Sequence, residues 1–146
     1  MTKPRNWHDT DRATGIILLG VEGPMPYEEW EAAVRAELDR TRPGPRRFLS
    51  DRRRLRPASS AEFLERAVGF FRRERELFGP TQWSILSEGQ DAVYGSARQV
   101  EALAEGTDVH TRAFTDLRAA LTWLLPDVDP VELERLVKWV ERYAEG

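Results

Sequence analysis

Gly15-Ile16-Ile17-Leu18-Leu19-Gly20-Val21, closed by Glu22-Gly23-Pro24, is a short uncharged apolar run that ends in turn residues. A run of this length, rich in branched aliphatics and without polar alternation, suits a strand covered on both faces. Pro26 then opens a helix whose apolar stripe is Tyr27, Trp30, Val34 and Leu38, spaced three and four apart. Arg42-Pro43-Gly44-Pro45 stops it, because two prolines and a glycine cannot continue a helix.

The same alternation repeats along the chain. Arg47 to Asp51 reads as a second, shorter strand, and the Arg52 to Pro57 stretch leads to a helix. Ser59 and Glu62 form a Ser-x-x-Glu capping box at its start, and Gly79-Pro80 ends it. Gln82 to Leu86 is a third strand. Glu88-Gly89-Gln90-Asp91 then turns into a helix lined by Val93, Ala97, Val100 and Leu103 and stopped by Gly106. Val109 to Phe114 is a fourth strand, after which Asp116 caps a helix ended by Pro126. Four successive strand-helix units imply an α/β fold: a mostly parallel sheet of four to five strands flanked by helices. Asn6 to Arg12 offers an antiparallel edge strand of poor strand composition. Residues 1–126 are expected to form this domain. Residues 127–146 add a C-terminal helix whose stripe (Leu133, Leu136, Val137, Val140, Tyr143) packs on the domain or on a second copy of the chain.

Composition narrows the function. With 146 residues and 40% hydrophobic content the chain can bury one core. It has no cysteine, which excludes disulfides, thiolate catalysis and cysteine-rich zinc sites. A net charge of −3 argues against a generally basic nucleic-acid binder. No signal-like or membrane-spanning run is visible, so a cytoplasmic location, with no more than peripheral membrane contact, is the expectation. Nothing in the sequence calls for a cofactor or a metal.

The order of elements resembles the STAS family of anti-sigma-factor antagonists, and within it the SpoIIAA-like branch that is grouped with Sec14-type lipid-binding folds. Three segments carry the resemblance: Gly15 to Gly23, Tyr94-Gly95-Ser96-Ala97-Arg98, and Arg112 to Asp116 with Ala120 and Trp123-Leu124. It spans roughly residues 5 to 125. The resemblance implies a bacterial regulatory module that acts through protein contacts and catalyses nothing; fold alone does not fix that function.

Three groups of residues are candidate sites. Arg46, Arg47, Arg52, Arg53, Arg54 and Arg56 surround Asp51 alone, a basic segment in an acidic chain. It would attract an anionic group or an acidic protein surface, or else it is a solvated strand end whose arginines pair with acidic helices. Asp51, Arg52, Arg53, Arg54, Ser59 and Ser60 are therefore the expected partner or anion site. Phosphorylatable STAS relatives carry a serine where a loop enters this helix, so the resemblance makes Ser60 the candidate for modification, with Ser59 occupied as the cap. The Asp before that serine and the Gly-Leu after it, expected from the resemblance, are absent here. Glu22, Asp51, Glu88, Asp91 and Asp116 gather at the strands' carboxyl edge, but without the paired acids and lysine of a phosphoryl receiver. The competing expectation is a carrier or sensor that binds a lipid or small anion at that edge, beneath Gly23, Ser87 and Asp116.

Overall fold

The computed structural model describes residues 5–42, 45–89 and 91–146. Pro43, Gly44 and Gln90, read above as part of two breaks, lie outside the described residues. The elements run β1 (Arg5–Thr10), β2 (Ile16–Gly23), α1 (Tyr27–Arg40), β3 (Arg46–Leu55), α2 (Ala61–Arg73), α3 (Arg75–Phe78), β4 (Thr81–Leu86), α4 (Ala92–Leu103), β5 (Val109–Phe114), α5 (Leu117–Leu124) and α6 (Pro130–Glu145).

Strand order in the sheet follows chain order, β1 to β5, with β1 antiparallel to β2 and all other pairs parallel. Each parallel connection steps in the same direction, and parallel crossovers are right-handed, so every crossover helix falls on one face of the sheet. Ile17, Leu19, Phe48, Trp83, Ile85 and Val109 accordingly pack with α1, α2 and α4. The opposite face, Ile16, Leu18, Leu49 and Leu86, is left for α5 and α6. Both faces are covered, which is why β2 is apolar without alternation.

β1 alternates in polar partners rather than in hydrophobicity. His8 Nδ1 lies 2.6 Å from Glu37 Oε2 of α1, and the Thr10 hydroxyl donates to Glu37 Oε1 at 2.5 Å. Residues of the other parity turn to α6: Tyr143 donates its hydroxyl to Asp9 at 2.7 Å, and Trp7 packs into the α5–α6 core. Trp7 lies flat across Gly20, where a Cβ would stand 2.0 Å from the indole ring. Beyond the strand, Asp11 accepts both Arg135 amines at 2.9 Å and the Thr14 amide and hydroxyl, tying the β1–β2 turn to α6.

Several sequence expectations need correction. β3 is twice the expected length, because the arginines after Asp51 continue the strand instead of leaving it. The helix cap is Ser60, whose Oγ accepts from Phe63 N at 3.1 Å, so no Ser59–Glu62 capping box exists. The second helix breaks at Glu74 into α2 and α3. In α6, Leu136, Trp139, Val140 and Ala144 are buried, while Val137 is half-buried.

Candidate functional site

β3 runs through the middle of the sheet, so its side chains alternate between the two helical layers. Between Asp51 and Arg54 it carries one residue more than β2 does between Gly20 and Glu22, a bulge. Around that irregularity Arg52 points toward α2, whereas Arg53 and Arg54 both reach α6.

Most of the basic segment has a structural task. Arg46 is buried and donates to the carbonyls of Leu77 at 3.2 Å and Phe78 at 3.1 Å, at the end of α3. Arg47 donates to Leu124 O at 2.8 Å, the last residue of α5. Arg54 donates to Ala144 O near the end of α6, where Arg5 also donates at 2.9 Å. Helix ends present unsatisfied carbonyls and the negative end of the helix dipole, which arginine satisfies in both charge and geometry. Arg53 forks onto Asp51, at 2.9 Å from Nε and 2.8 Å from Nη2, and its remaining amine meets Glu141 of α6 at 2.8 Å. The Asp51 hydrogen bond, the largest cause, raises the Arg53 pKa. Arg56 donates to Leu55 O at 2.6 Å and lies 3.8 Å from Glu88.

Arg52 differs from all of these. Its Nη2 donates to Ser59 Oγ at 2.5 Å, and its guanidinium stands 5.5 Å from the Phe63 ring centre. Among the described residues no carboxylate lies within ion-pair distance of it. The side chain is half-buried, and burial pulls its pKa down to about 10.

Arg52 and Ser59 belong to the wall of a cavity of about 30 Å³ between the sheet and helices α2 and α4. Most of the remaining wall is apolar and aromatic, with Phe63, Leu64, Ala67 and Phe71 from α2, Ala97 and Val100 from α4, and Trp83 and Ile85 from β4; Ser50, Ser96 and Thr111 also line it. Trp83 stacks on Phe48 with ring centres 4.1 Å apart and donates its indole N–H to Ser50 Oγ at 2.8 Å. Two polar groups of the lining residues are buried without a hydrogen-bond partner among the described residues: the Trp30 indole N–H and the Thr111 hydroxyl. Buried polar groups are nearly always paired, so two orphans around one cavity are notable.

The other sequence candidates lie elsewhere. Ser60 is exposed at the start of α2 and lines a separate open groove with Pro24, Pro57 and Arg66. Gly23 offers its carbonyl to Arg56 N at 3.0 Å, and Asp116 caps α5 through Ala119 N at 2.9 Å. Ser87 is fully buried with an unpartnered hydroxyl, but it does not line the Arg52 cavity. The acidic edge is divided among separate partners: Glu22 pairs with Arg5 at 3.2 Å, and Asp91 caps α4. No group of three His, Asp or Glu among the described residues could hold a metal ion. Sequence reasoning missed Trp30, Ser50, Trp83 and Thr111. The one available signal was Ser50, a small polar residue beside Phe48-Leu49 in a strand covered on both faces.

No family model matches the chain, and no curated protein matches it. Among solved structures, an uncharacterised DUF3478-family protein from Shewanella loihica PV-4, described as having a SpoIIAA-like fold, aligns with a TM-score of 0.57. The alignment covers 85% of this chain and 98% of that one at 16% identity. The fold is SpoIIAA-like. The resemblance seen in the sequence is thus carried by the architecture, a sequentially ordered sheet with its crossover helices on one face. At this identity the likeness is one of fold, and the SpoIIAA-like neighbour brings no described activity with it. No helix among the described residues is long and apolar enough to cross a membrane.

Proposed function

We propose that this chain is a non-catalytic STAS-like binding module, a sensor or carrier that holds a small anionic ligand in the cavity behind Arg52. The observation that carries the reading is the state of that one arginine. Five neighbouring arginines are spent on backbone carbonyls or carboxylates, while Arg52 lines the cavity with a single hydrogen-bond partner among the described residues. A guanidinium has five N–H donors, and a half-buried one beside an apolar wall without a counter-charge is only partly satisfied. An anion entering the cavity would supply both the charge and the acceptors.

The absence of chemistry is supported by the SpoIIAA-like fold, which is generally non-catalytic, and by the setting of Ser59. Among the described residues that hydroxyl has arginine beside it and no imidazole or carboxylate to take its proton. A nucleophile needs such a base.

One observation favours a second reading, contact with a protein partner switched by modification. Ser60 is exposed at the start of α2, and although its hydroxyl, not that of Ser59, is the cap on Phe63 N, a phosphate there would keep an acceptor at the helix N-terminus and add charge to it.

A thermal-shift survey of small anions on the wild-type chain and on Arg52→Met separates the two. A ligand that binds the native state raises the melting temperature by mass action. Stabilisation by at least one anion that disappears in Arg52→Met is expected. Indifference of both proteins to every anion would overturn the ligand reading and leave the Ser60 face as the site.

A further inference from the structure

We infer that the Arg52 cavity takes a monocarboxylic acid with an apolar body, its carboxylate on Arg52 and Ser59 and its hydrocarbon part between α2 and α4. This rests on the anion-binding reading above and narrows it to a chemical class. The site holds a single charge: one guanidinium beside the Ser59 hydroxyl, with no second cation among the described lining residues. A phosphate or sulfate dianion carries more charge than one guanidinium balances, whereas one carboxylate matches one guanidinium edge. Beyond Arg52 and Ser59 the wall is mostly aromatic and aliphatic, interrupted by Ser50, Ser96 and Thr111, and a wholly hydrophilic anion would leave most of it unused.

The cavity as it stands holds about 30 Å³, room for about two waters or for the carboxylate alone. The body of the ligand therefore needs one wall to move outward. α2 buries six side chains, from Phe63 to Phe71, whereas α4 buries only Val93, Ala97 and Val100. α4 thus has fewer buried side chains to lose, and its outward displacement is the motion that would admit the acid.

The tryptophans report the site without labels. Trp30 and Trp83 line the cavity, while Trp7, Trp123 and Trp139 belong to the opposite layer, across the sheet. The experiment titrates acetate, butanoate, hexanoate, benzoate, hexanamide and inorganic phosphate into the folded chain. Calorimetry follows affinity, and amide-detected NMR follows the five indole N–H signals. Hexanoate and benzoate should bind, shifting Trp30 and Trp83 and leaving the other three in place. Affinity should tighten by about fourfold per methylene from acetate upward. Hexanamide should bind at least about thirtyfold more weakly than hexanoate, as should hexanoate to Arg52→Met. Arg52→Lys should recover part of that loss, which guards against a variant that has merely lost its fold. Arg52-dependent binding of phosphate with no gain from chain length would overturn the carboxylate class while leaving the anion site standing. If no probe binds, or binding survives Arg52→Met, both readings fall. Equal binding of hexanamide and hexanoate would also overturn the inference, since the cavity would then be an apolar one indifferent to charge.

Discussion

Replacing Arg53 by methionine tests whether the basic segment is architecture. Asp51 is 3% exposed, and the only basic side chain that meets its carboxylate among the described residues is Arg53. Methionine keeps the bulk of the arginine stem but leaves a buried carboxylate without a counter-charge. Removing one partner of a buried ion pair costs about 3–5 kcal/mol, most of it the penalty of the stranded charge. Arg53 is partly open to solvent, so the lower end, about 3 kcal/mol, is the working value. For a chain of this size each kcal/mol moves the melting temperature by about 2–4 °C, which gives a fall of about 10 °C. Asp51→Asn combined with Arg53→Met should recover more than half of it, because the stranded charge is gone. Arg52→Met, one position earlier, removes a charge that has no counter-ion and should leave stability unchanged or slightly raised. Urea and thermal unfolding of the four proteins decide the matter. An Arg53→Met melting temperature within about 1 °C of the parent would refute the assignment of this arginine to the fold.

Three further perturbations follow from the packing. Glu37 is fully buried and holds His8, Thr10 and Arg40, so Glu37→Ala should cost about 2–4 kcal/mol in urea unfolding. Gly20→Ala would place a methyl inside the Trp7 ring; displacement of Trp7, about 2–3 kcal/mol of destabilisation and faster proteolysis within β1 are expected. The Arg135 hydrogen bond holds the Asp11 carboxyl below the usual carboxylate range, against burial and with help from Thr14. A carboxyl depressed in the folded state stabilises above its unfolded value of about 4, and this contribution is lost as pH falls toward the folded pKa. Urea midpoints measured from pH 6 to 3 should therefore fall less steeply for Asp11→Asn than for the parent.

The fold was largely legible because each strand-helix unit carries its own punctuation. Asp116 caps the helix that its position predicted, and Asp91 and Asp129 do the same for α4 and α6. What misled was polar strand sequence. β1 was expected to be a poor strand because its residues satisfy two helices instead of a hydrophobic core, and period-two hydrophobicity cannot register that. β3 read as short because arginine is unusual inside a sheet. Its placement becomes intelligible only when the ends of α3, α5 and α6 are known to converge there. The site was half legible. Arg52 and Ser59 stand in a run that invited notice, but the cavity behind them is assembled from Trp30, Trp83 and Thr111. These come from three elements far apart in sequence and look like ordinary core.

Strand order equal to chain order has a consequence for how the molecule is made. While the chain emerges from the ribosome, β1 to β5 can pair as they appear, and α1, α2 and α4 cover their face in step. The other face stays bare: Ile16, Leu18, Leu49 and Leu86 have no partner until residues 117–145 have been synthesised. The clasps that lock that face, Arg135 on Asp11 and Tyr143 on Asp9, join residues 124 and 134 positions apart. Until α5 and α6 have emerged the nascent chain therefore exposes a broad oily surface of the kind that chaperones hold and that drives aggregation. Completion of folding is timed by the arrival of the last helix rather than by the assembly of the sheet.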